Sequence, residues 1–341
     1  MVTVLGGGIA GTALAAALAH RKHPVTVYER QTAQGAGAFM VLDGHAHQAL
    51  ADLGVPLDLL HRASHSIPGF RFHYLPDGRM RGQGHRLYQR VDLMNVLTEY
   101  AAAAAADIRY GQTVTDVDVA TGTLFDHTGE IATDTTLIAA DGVDSLARSR
   151  LEPDRHAEYA GQVVIYGTIP HRMALDTEPD VMHFHGRLGD GPLPISTFGH
   201  MWNDHGVWWF TRLTRDPIAP DTGAQPTTDW ADAIRGADPT AADLIDTILA
   251  ATDTIHLSNA RNVPLTDARP PQLPVVLCGD ADHAFTPAAA ARGAREAIED
   301  ALALATALTT GESAADAMAT RRDRITTDRQ QQMRIVSRAI S

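Results

Sequence analysis

The sequence is poor in cysteine and in positive charge, and both shortages limit what the protein can be. The 341 residues include one cysteine, Cys278, so no disulfide can form within the chain. No cluster of cysteine and histidine has the spacing of a zinc site, and we expect no metal. The formal net charge is −13. Nucleic acids and anionic membranes select basic surfaces, so this charge argues against both kinds of partner.

Long apolar runs and targeting segments are also missing. A transmembrane helix needs about 20 consecutive apolar residues, and the sequence has no such stretch. The chain starts with a strand-like segment, residues 2–5, rather than with a charged region followed by an apolar one. No signal peptide is therefore predicted, and we expect a cytoplasmic protein.

The first residues have the pattern of strand, glycine turn, helix and strand, and the turn at residues 6–11 fits G-x-G-x-x-G. Gly6 permits the tight turn, Gly8 lets a pyrophosphate approach the backbone, and Gly11 lets the helix pack closely. The helix N-terminus offers N–H groups and partial positive charge to the phosphates. Glu29 ends the second strand and can accept hydrogen bonds from a ribose. This unit predicts a dinucleotide site, but it does not separate FAD from NAD.

The middle of the chain has a different pattern. Segments 162–168, 181–185 and 206–213 are strand-like, and we expect them to form an antiparallel sheet in a separate layer. Before them, Asp92 is expected to cap a helix that continues through the alanine run. After them, a buried strand at 275–278 and a helix at 294–308 return to the nucleotide-domain pattern.

Two further segments place polar residues at strand ends. Residues 137–148 include Asp141-Gly142 and Arg148, and residues 276–283 include Gly279-Asp280 and lead on to Glu299-Asp300. With the glycine turn, and with Arg90 in an Arg-x-x-Leu stretch, these segments resemble the class A flavoprotein monooxygenases, the p-hydroxybenzoate hydroxylase-like family. The motifs are in the family's order and extend over the whole chain.

The resemblance implies an α/β fold. It consists of a Rossmann-like FAD-binding domain of the p-hydroxybenzoate hydroxylase type, an inserted antiparallel-sheet substrate domain and a C-terminal helix. We expect the FAD-binding domain at 1–67, 88–157 and 258–320, the substrate domain at 68–87 and 158–257, and the helix at 321–341.

The resemblance also implies roles for individual residues. Asp141 is associated with FAD and NAD(P)H, Asp280 with the ribityl chain, and Arg90 with the FAD phosphates. A structural ion pair between Asp141 and Arg148, and a turn or capping role for Asp280, are the alternatives. The residues expected to bind the cofactor are Gly6, Gly8, Ile9, Ala10, Gly11, Glu29, Arg30, Arg90, Val114, Asp141, Gly279, Asp280, Pro287 and Gly293.

The activity implied by the resemblance is monooxygenation of a small organic substrate, aromatic or polyketide-like. NAD(P)H, docking transiently, would reduce FAD, and a C4a-hydroperoxide formed with O2 would deliver one oxygen. The loop at 291–295 departs from the family, with Ala291 in place of glycine and Arg295 in place of asparagine. A reductase, dehydrogenase or cyclase without oxygenation is therefore the alternative.

Candidates on the substrate side come from strand alternation and from this loop. His183 and His185 share a strand face and could act as an acid/base pair, or could simply form a partly exposed face. Trp208 and Trp209 must point to opposite faces, and we take Trp209 as the candidate. Arg295 could supply positive charge to the flavin, bind an anionic group or face solvent.

Overall fold

The computed structural model describes residues 1–32, 38–133, 136–188, 194–219, 223–286 and 292–340. The strands of this part of the chain are β1 (Val2–Leu5), β2 (Val25–Glu29), β3 (Phe39–Leu42), β4 (His65–Ser66), β5 (Gly69–Phe72), β6 (Arg79–Arg81), β7 (Arg86–Gln89), β8 (Asp107–Tyr110), β9 (Asp116–Asp118), β10 (Thr123–Asp126), β11 (Gly129–Thr133), β12 (Leu137–Ala139), β13 (Glu158–Ile169), β14 (Val181–Leu188), β15 (Pro194–Asn203), β16 (Gly206–Thr214), β17 (Ala224–Pro226), β18 (Thr254–Asn262) and β19 (Val275–Leu277). The α-helices are α1 (Ile9–His20), α2 (Gly44–Asp52), α3 (Leu57–Arg62), α4 (Arg90–Ala103), α5 (Leu146–Leu151), α6 (Ala231–Arg235), α7 (Ala242–Ala250), α8 (Asp280–His283), α9 (Gly293–Thr310) and α10 (Ala314–Ile340).

A parallel sheet with the order β19-β12-β1-β2-β8 forms the centre of the nucleotide-binding part. Its middle strands are buried, as their runs of valine, leucine and isoleucine predict. Leu5 pairs with Ala139, and Ala139 pairs with Leu277. Strands β1, β12 and β19 therefore end side by side, and the three motifs that follow them leave the sheet at one edge.

Helix α1 is buried on all sides, because its residues from Ala10 to Ala19 are almost all alanine and leucine. It packs between the sheet and helices α4 and α9. Helix α4 begins at Arg90, before the predicted cap Asp92, because Gln89 at the end of β7 already has the extended backbone of an N-cap residue. The C-terminal helix α10 begins at Ala314 rather than at 321. Helix α9 ends at Thr310, Gly311 is its C-cap residue, and the Ser313 side chain then accepts a hydrogen bond from the N–H of Asp316 in the first turn of α10.

The second large sheet has the order β17-β18-β13-β16-β15-β14-β5-β6 and confirms the predicted antiparallel layer. One pairing differs, since β5 runs parallel to β14. The β5–β6 hairpin comes from an earlier part of the chain and extends this sheet at its β14 edge. Two smaller sheets, β11-β10-β9 and β3-β7-β4, complete the pairing in the described part of the chain. The α/β class with an inserted sheet is confirmed, while the exact domain boundaries stay a prediction.

The two faces of this second sheet pack against different partners. One face is covered by α6 and α7 and has a core of its own that includes Ile165, Phe198 and Trp209. The other face packs on the β3-β7-β4 sheet, where Phe39 and Val41 pack against a cluster of buried residues that includes Trp208. We call the first the helix-covered face and the second the inner face, because the inner face is turned toward the nucleotide-binding part.

Candidate functional site

The glycine turn after β1 is closely packed everywhere except at Gly8. Gly6 has a φ of +101°, and a Cβ there would lie 2.4 Å from the carbonyl oxygen of Ala140. A Cβ on Gly11 would lie 1.9 Å from the carbonyl oxygen of Gly6. A Cβ on Gly8 would meet no protein atom within 4 Å, although Gly8 is the N-cap of α1. Gly6 and Gly11 are therefore required by the protein itself, whereas the space beside Gly8 is open for a ligand.

Glu29 closes the turn from the neighbouring strand. Its Oε2 accepts a hydrogen bond of 2.6 Å from the N–H of Gly7, and its Oε1 accepts one of 2.8 Å from the N–H of Gln31. Carboxylate oxygens have further lone pairs, so Glu29 can still accept from a ribose hydroxyl while it holds the turn.

Asp141 lies beyond the end of β12, and its two carboxylate oxygens differ in their hydrogen bonds. Its Oδ2 accepts hydrogen bonds from the N–H groups of Leu146 and Ala147 at the start of α5, at 2.7 and 3.3 Å. Its Oδ1 is buried and accepts none from the described residues. Burial raises the pKa of Asp141, although these N–H groups and Ser145 lower it. A buried oxygen without a partner is costly, so its position fits a group that a bound cofactor would supply.

Arg148 is not paired with Asp141, although the spacing had left that alternative open. It is buried and donates to the carbonyl oxygens of Val143, Arg155 and Ala281, at 2.6, 3.0 and 2.8 Å. Arg148 thus ties the Asp141 turn to the segment that follows Asp280.

The turn at Gly279-Asp280 lies between the starts of two helices. A Cβ on Gly279 would be 3.4 Å from the side chains of Ala10 in α1 and Ala297 in α9. The Asp280 side chain is exposed at the carboxyl edge of the sheet, and its Oδ1 would lie 3.8 Å from a Cβ on Gly293. The structure therefore groups Ala10, Gly279, Asp280 and Gly293 around one point.

A cleft of about 300 Å³ runs along this edge and collects half of the predicted cofactor residues. The predicted residues that line it are Gly6, Gly8, Glu29, Arg30, Arg90, Val114 and Asp141. Ile9, Ala10 and Gly11 lie just behind it in α1, while Pro287 is outside the described residues. The pattern did not identify Tyr28, Met94, Tyr110 and Gln112, which also line the cleft. Of these four residues, Tyr110 could have been found from the sequence, because it ends β8, and β8 is the parallel neighbour of β2, the strand that ends at Glu29.

Arg295 has a local structural role. Its Nη1 is 2.9 Å from Asp43 Oδ2, and its Nε is 2.9 Å from Glu299 Oε1. Asp43 caps α2 by accepting a hydrogen bond from the N–H of Ala46. The positive charge of Arg295 is thus balanced by two carboxylates. Ala291 lies outside the described residues, and Arg292 is the N-cap residue of α9.

His183, His185 and Trp209 lie on the helix-covered face, away from the cleft. His183 pairs with His200, and His200 pairs with Trp209, so all of them share that face. The indole of Trp209 is fully buried and donates to Thr252 Oγ1. Strand alternation therefore places these three residues on the face opposite the inner face, and their substrate-side role stays a prediction.

The histidines form a stack with His73 and His200. His73 Nε2 is 3.1 Å from His183 Nδ1, and the ring centres of His73 and His185 are 4.1 Å apart. Burial lowers the pKa of His185 to about 4 and holds the pKa of His200 well below its ordinary value. No group of three or more side chains able to hold a metal ion occurs among the described residues.

The inner face carries a row of aromatic rings that are only partly buried. Tyr166 pairs with Phe210 across β13 and β16, and Phe184 lies two strands away. Ring centres of Phe39 and Tyr166 are 5.8 Å apart, and those of Phe184 and Phe210 are 6.1 Å apart. Since Trp208 and Trp209 must alternate, the sequence contained the signal for this face, but it did not tell which face turns inward.

Arg212 also lies on the inner face, with its guanidinium 5.6 Å from the ring centre of Phe210. Burial lowers the pKa of Arg212, while the nearby Tyr166 and Tyr74 phenols raise it. Burial raises the pKa of both tyrosines, so they remain protonated hydrogen-bond donors at neutral pH.

Comparison with known proteins supplies the family. The model of the FAD binding domain family matches residues 1–335. Kynurenine 3-monooxygenase of Salinispora arenicola is 29% identical, with 93% of this chain and 74% of that protein covered. The 3-amino-4-hydroxybenzoate 2-monooxygenase PtnB3 of Streptomyces platensis is 30% identical, with 89% and 78% covered. The crystal structure of a point mutant of 2-methyl-3-hydroxypyridine-5-carboxylic acid oxygenase aligns with a TM-score of 0.75 at 24% identity, covering 96% of this chain and 87% of that one.

Among the helices that the structure describes, none is long and apolar enough to cross a membrane. The match over nearly the whole chain agrees with the three motifs at the sheet edge and with the resemblance that they carry. The chain therefore belongs to the FAD binding domain family and is an FAD-dependent monooxygenase of the class A type.

Proposed function

We propose that FAD lies along the carboxyl edge of the parallel sheet and that the protein oxygenates an aromatic small molecule held against the inner face. The observation that carries the cofactor position is the combination of open space at Gly8 with the unpartnered Oδ1 of Asp141. The pyrophosphate lies at Gly8 and the start of α1, a ribose hydroxyl pair at Glu29, and the ribityl chain at Asp280. Arg90, exposed at the start of α4, neutralises phosphate charge.

Bound FAD, once reduced by NAD(P)H, supplies the chemistry that activates O2. The chain's own residues place the substrate and keep water away from it. Phe39, Phe184 and Phe210 form the apolar wall of the substrate cavity, and a dry cavity strengthens every polar contact inside it. Burial raises the pKa of Tyr166, so its hydroxyl stays protonated and donates a hydrogen bond to an acceptor on the substrate.

The proposed substrate class is an electron-rich aromatic ring with an acidic group. Two observations support it. The rings of the inner face remain partly exposed, and their faces are surfaces on which a flat aromatic ligand can stack. Arg212 brings positive charge to the same face, beside Tyr166 and Tyr74. The names of several relatives, such as 6-hydroxynicotinate 3-monooxygenase and 3-amino-4-hydroxybenzoate 2-monooxygenase, agree with this class.

The test compares a variant of the inner face with one of the helix-covered face. Aromatic acids are screened for those that accelerate NAD(P)H oxidation by the holoenzyme, and product and H2O2 are then quantified. We expect Phe210→Ala to raise KM for the aromatic acid and to divert NAD(P)H consumption toward H2O2.

The matched control is His185→Gln on the helix-covered face, which should leave KM and the H2O2 fraction unchanged. If both variants behave alike, the inner face is not the substrate wall. If NAD(P)H is consumed and the product contains no added oxygen, the reductase or dehydrogenase alternative replaces the oxygenase.

A further inference from the structure

The turn that presents Asp280 is held from behind by a buried carboxylate, Asp300 of α9. Gly279 has a φ of +60° and a ψ of −139°, a conformation that L side chains rarely adopt. Its N–H donates to Asp300 Oδ2 at 3.0 Å, and Asp300 has no exposed surface. Because this N–H belongs to the residue directly before Asp280, the carboxylate of Asp300 fixes the backbone that aims Asp280.

Asp300 is itself oriented by a histidine and an arginine. His283 Nε2 lies 2.6 Å from Oδ2, and Arg321 Nε lies 2.8 Å from Oδ1. Burial raises the pKa of Asp300, but His283 and Arg321 lower it to about 2. Burial lowers the pKa of His283, and the charges of Asp300 and its neighbours raise it above the ordinary value. The carboxyl group of Asp300 is thus ionised, both of its oxygens accept hydrogen bonds, and Oδ2 stays directed at Gly279.

Arg321 brings the C-terminal helix α10 into this arrangement. Its Nη1 is 3.0 Å from Glu299 Oε2, and the other oxygen of Glu299 holds Arg295. Arg295 in turn pairs with Asp43, the cap of α2. One arginine of α10 therefore supports two neighbouring carboxylates, and the chain of contacts extends from the Gly279 turn to the cap of α2.

We propose that Asp300 is a positioning residue for FAD and that Arg321 makes docking of α10 and binding of FAD mutually dependent. The inference rests on the proposed contact between Asp280 and the cofactor. If docked α10 favours the turn that binds FAD, bound FAD must favour docked α10 by the same factor.

The first experiment measures FAD affinity by following flavin release when the holoenzyme is diluted. We expect Asp300→Asn to weaken FAD binding by about tenfold, ~1.4 kcal/mol at 25 °C. The matched control is Asp238→Asn. Asp238 is also a buried acid whose Oδ2 accepts a hydrogen bond of 3.0 Å from a glycine N–H, that of Gly186, but it lies in the segment between α6 and α7 rather than on α9. Its variant should keep the FAD affinity of the wild type.

A second readout separates positioning from plain loss of stability. FAD raises Tm according to its affinity, so Asp300→Asn should reduce the Tm shift that a fixed FAD concentration causes. Equal falls in Tm with and without FAD, and an unchanged dissociation constant, would overturn the inference. Asp280→Asn is the reference. If it leaves the affinity unchanged, the proposed role of Asp280 fails and the inference with it, whereas an effect of Asp280→Asn alone defeats only the inference.

Hydrogen exchange of the wild-type protein tests the same coupling without a variant, which matters if Asp300→Asn does not fold. Saturating FAD should slow amide exchange several-fold in α10 around Arg321 as well as at residues 279–283. Helix α7, in the core on the helix-covered face, is the internal control for global stabilisation. Slower exchange at 279–283 with no change in α10 relative to α7 would contradict the proposed dependence.

Discussion

Replacing Gly8 should remove FAD binding and leave the fold intact, which is an unusual outcome for a glycine in such a tight turn. Gly8 has a φ of −73°, which any residue adopts, and a Cβ there meets no protein atom within 4 Å. The change to valine therefore costs the folded protein only the loss of a favourable N-cap, ~1 kcal/mol. Its branched side chain fills the space in which we place the pyrophosphate.

The effect on the cofactor should be far larger than the effect on the fold. Blocked approach of the pyrophosphate to α1 should weaken FAD binding at least ~100-fold, or ~2.7 kcal/mol. The assay is the ratio of flavin to protein after purification, followed by titration with FAD, while circular dichroism and Tm of the apoprotein report the fold. Purified Gly8→Val protein with a full complement of FAD would refute the placement of the pyrophosphate.

Gly11→Ala is the matched comparison, because it adds a methyl group one helical turn away with the opposite expected result. The new Cβ would lie 1.9 Å from the carbonyl oxygen of Gly6 and 3.3 Å from Val4 Cγ1. Relief requires movement of α1 against the sheet, which should cost at least ~1–3 kcal/mol of stability. Tm of the Gly11→Ala apoprotein should fall clearly below that of Gly8→Val. The reverse order would show that the packing of the turn is misassigned.

Three further predictions concern charge and pH. Asp141→Asn should weaken FAD binding ~10-fold or more and raise the Tm of the apoprotein, because it replaces a buried carboxyl group, whose ionised form burial disfavours, with a neutral amide; unchanged values in both titration and melting would contradict this. The pKa of His185 falls from 6.5 in the unfolded chain to about 4 in the fold. Its contribution to the free energy of unfolding is therefore present above pH 6.5 and is lost as the pH falls toward 4. Tm should decline over that pH window, and it should decline less in His185→Gln. The pKa of His283 is raised, so its contribution is complete below 6.5 and is lost as pH rises through the folded pKa; the alkaline decline of Tm should flatten in His283→Asn.

The grouping of the three strand-end motifs in the proposed cofactor site was largely predictable, because it depends on local backbone geometry. The glycine turn, Asp141 and Gly279-Asp280 each follow a buried strand, and parallel strands bring such ends to one edge. The separate reasons for Gly6 and Gly11 hold, since Gly6 has a φ of +101° and a side chain on Gly11 would collide with the carbonyl oxygen of Gly6 in the same turn. These constraints act within a few residues, so a short motif contains them.

The substrate side was not predictable to the same degree, because it depends on how two sheets pack. Alternation placed His183 with His185 and separated Trp208 from Trp209, and the structure agrees. Which of the two faces meets the nucleotide-binding part depends on Phe39, which is distant in sequence. The structural role of Arg295 was not predictable for the same reason, since its partner Asp43 lies 252 positions earlier in the chain.

The fate of oxygen atoms from labelled O2 distinguishes monooxygenation from a reaction that adds no oxygen to the substrate. Holoenzyme and NAD(P)H are incubated under ¹⁸O2 with an aromatic acid that accelerates NAD(P)H oxidation, and the mass of the product is measured by mass spectrometry. Monooxygenation at the inner face predicts one ¹⁸O atom in each product molecule and one NAD(P)H consumed for each product. Conversion of the aromatic acid without incorporated ¹⁸O would contradict it.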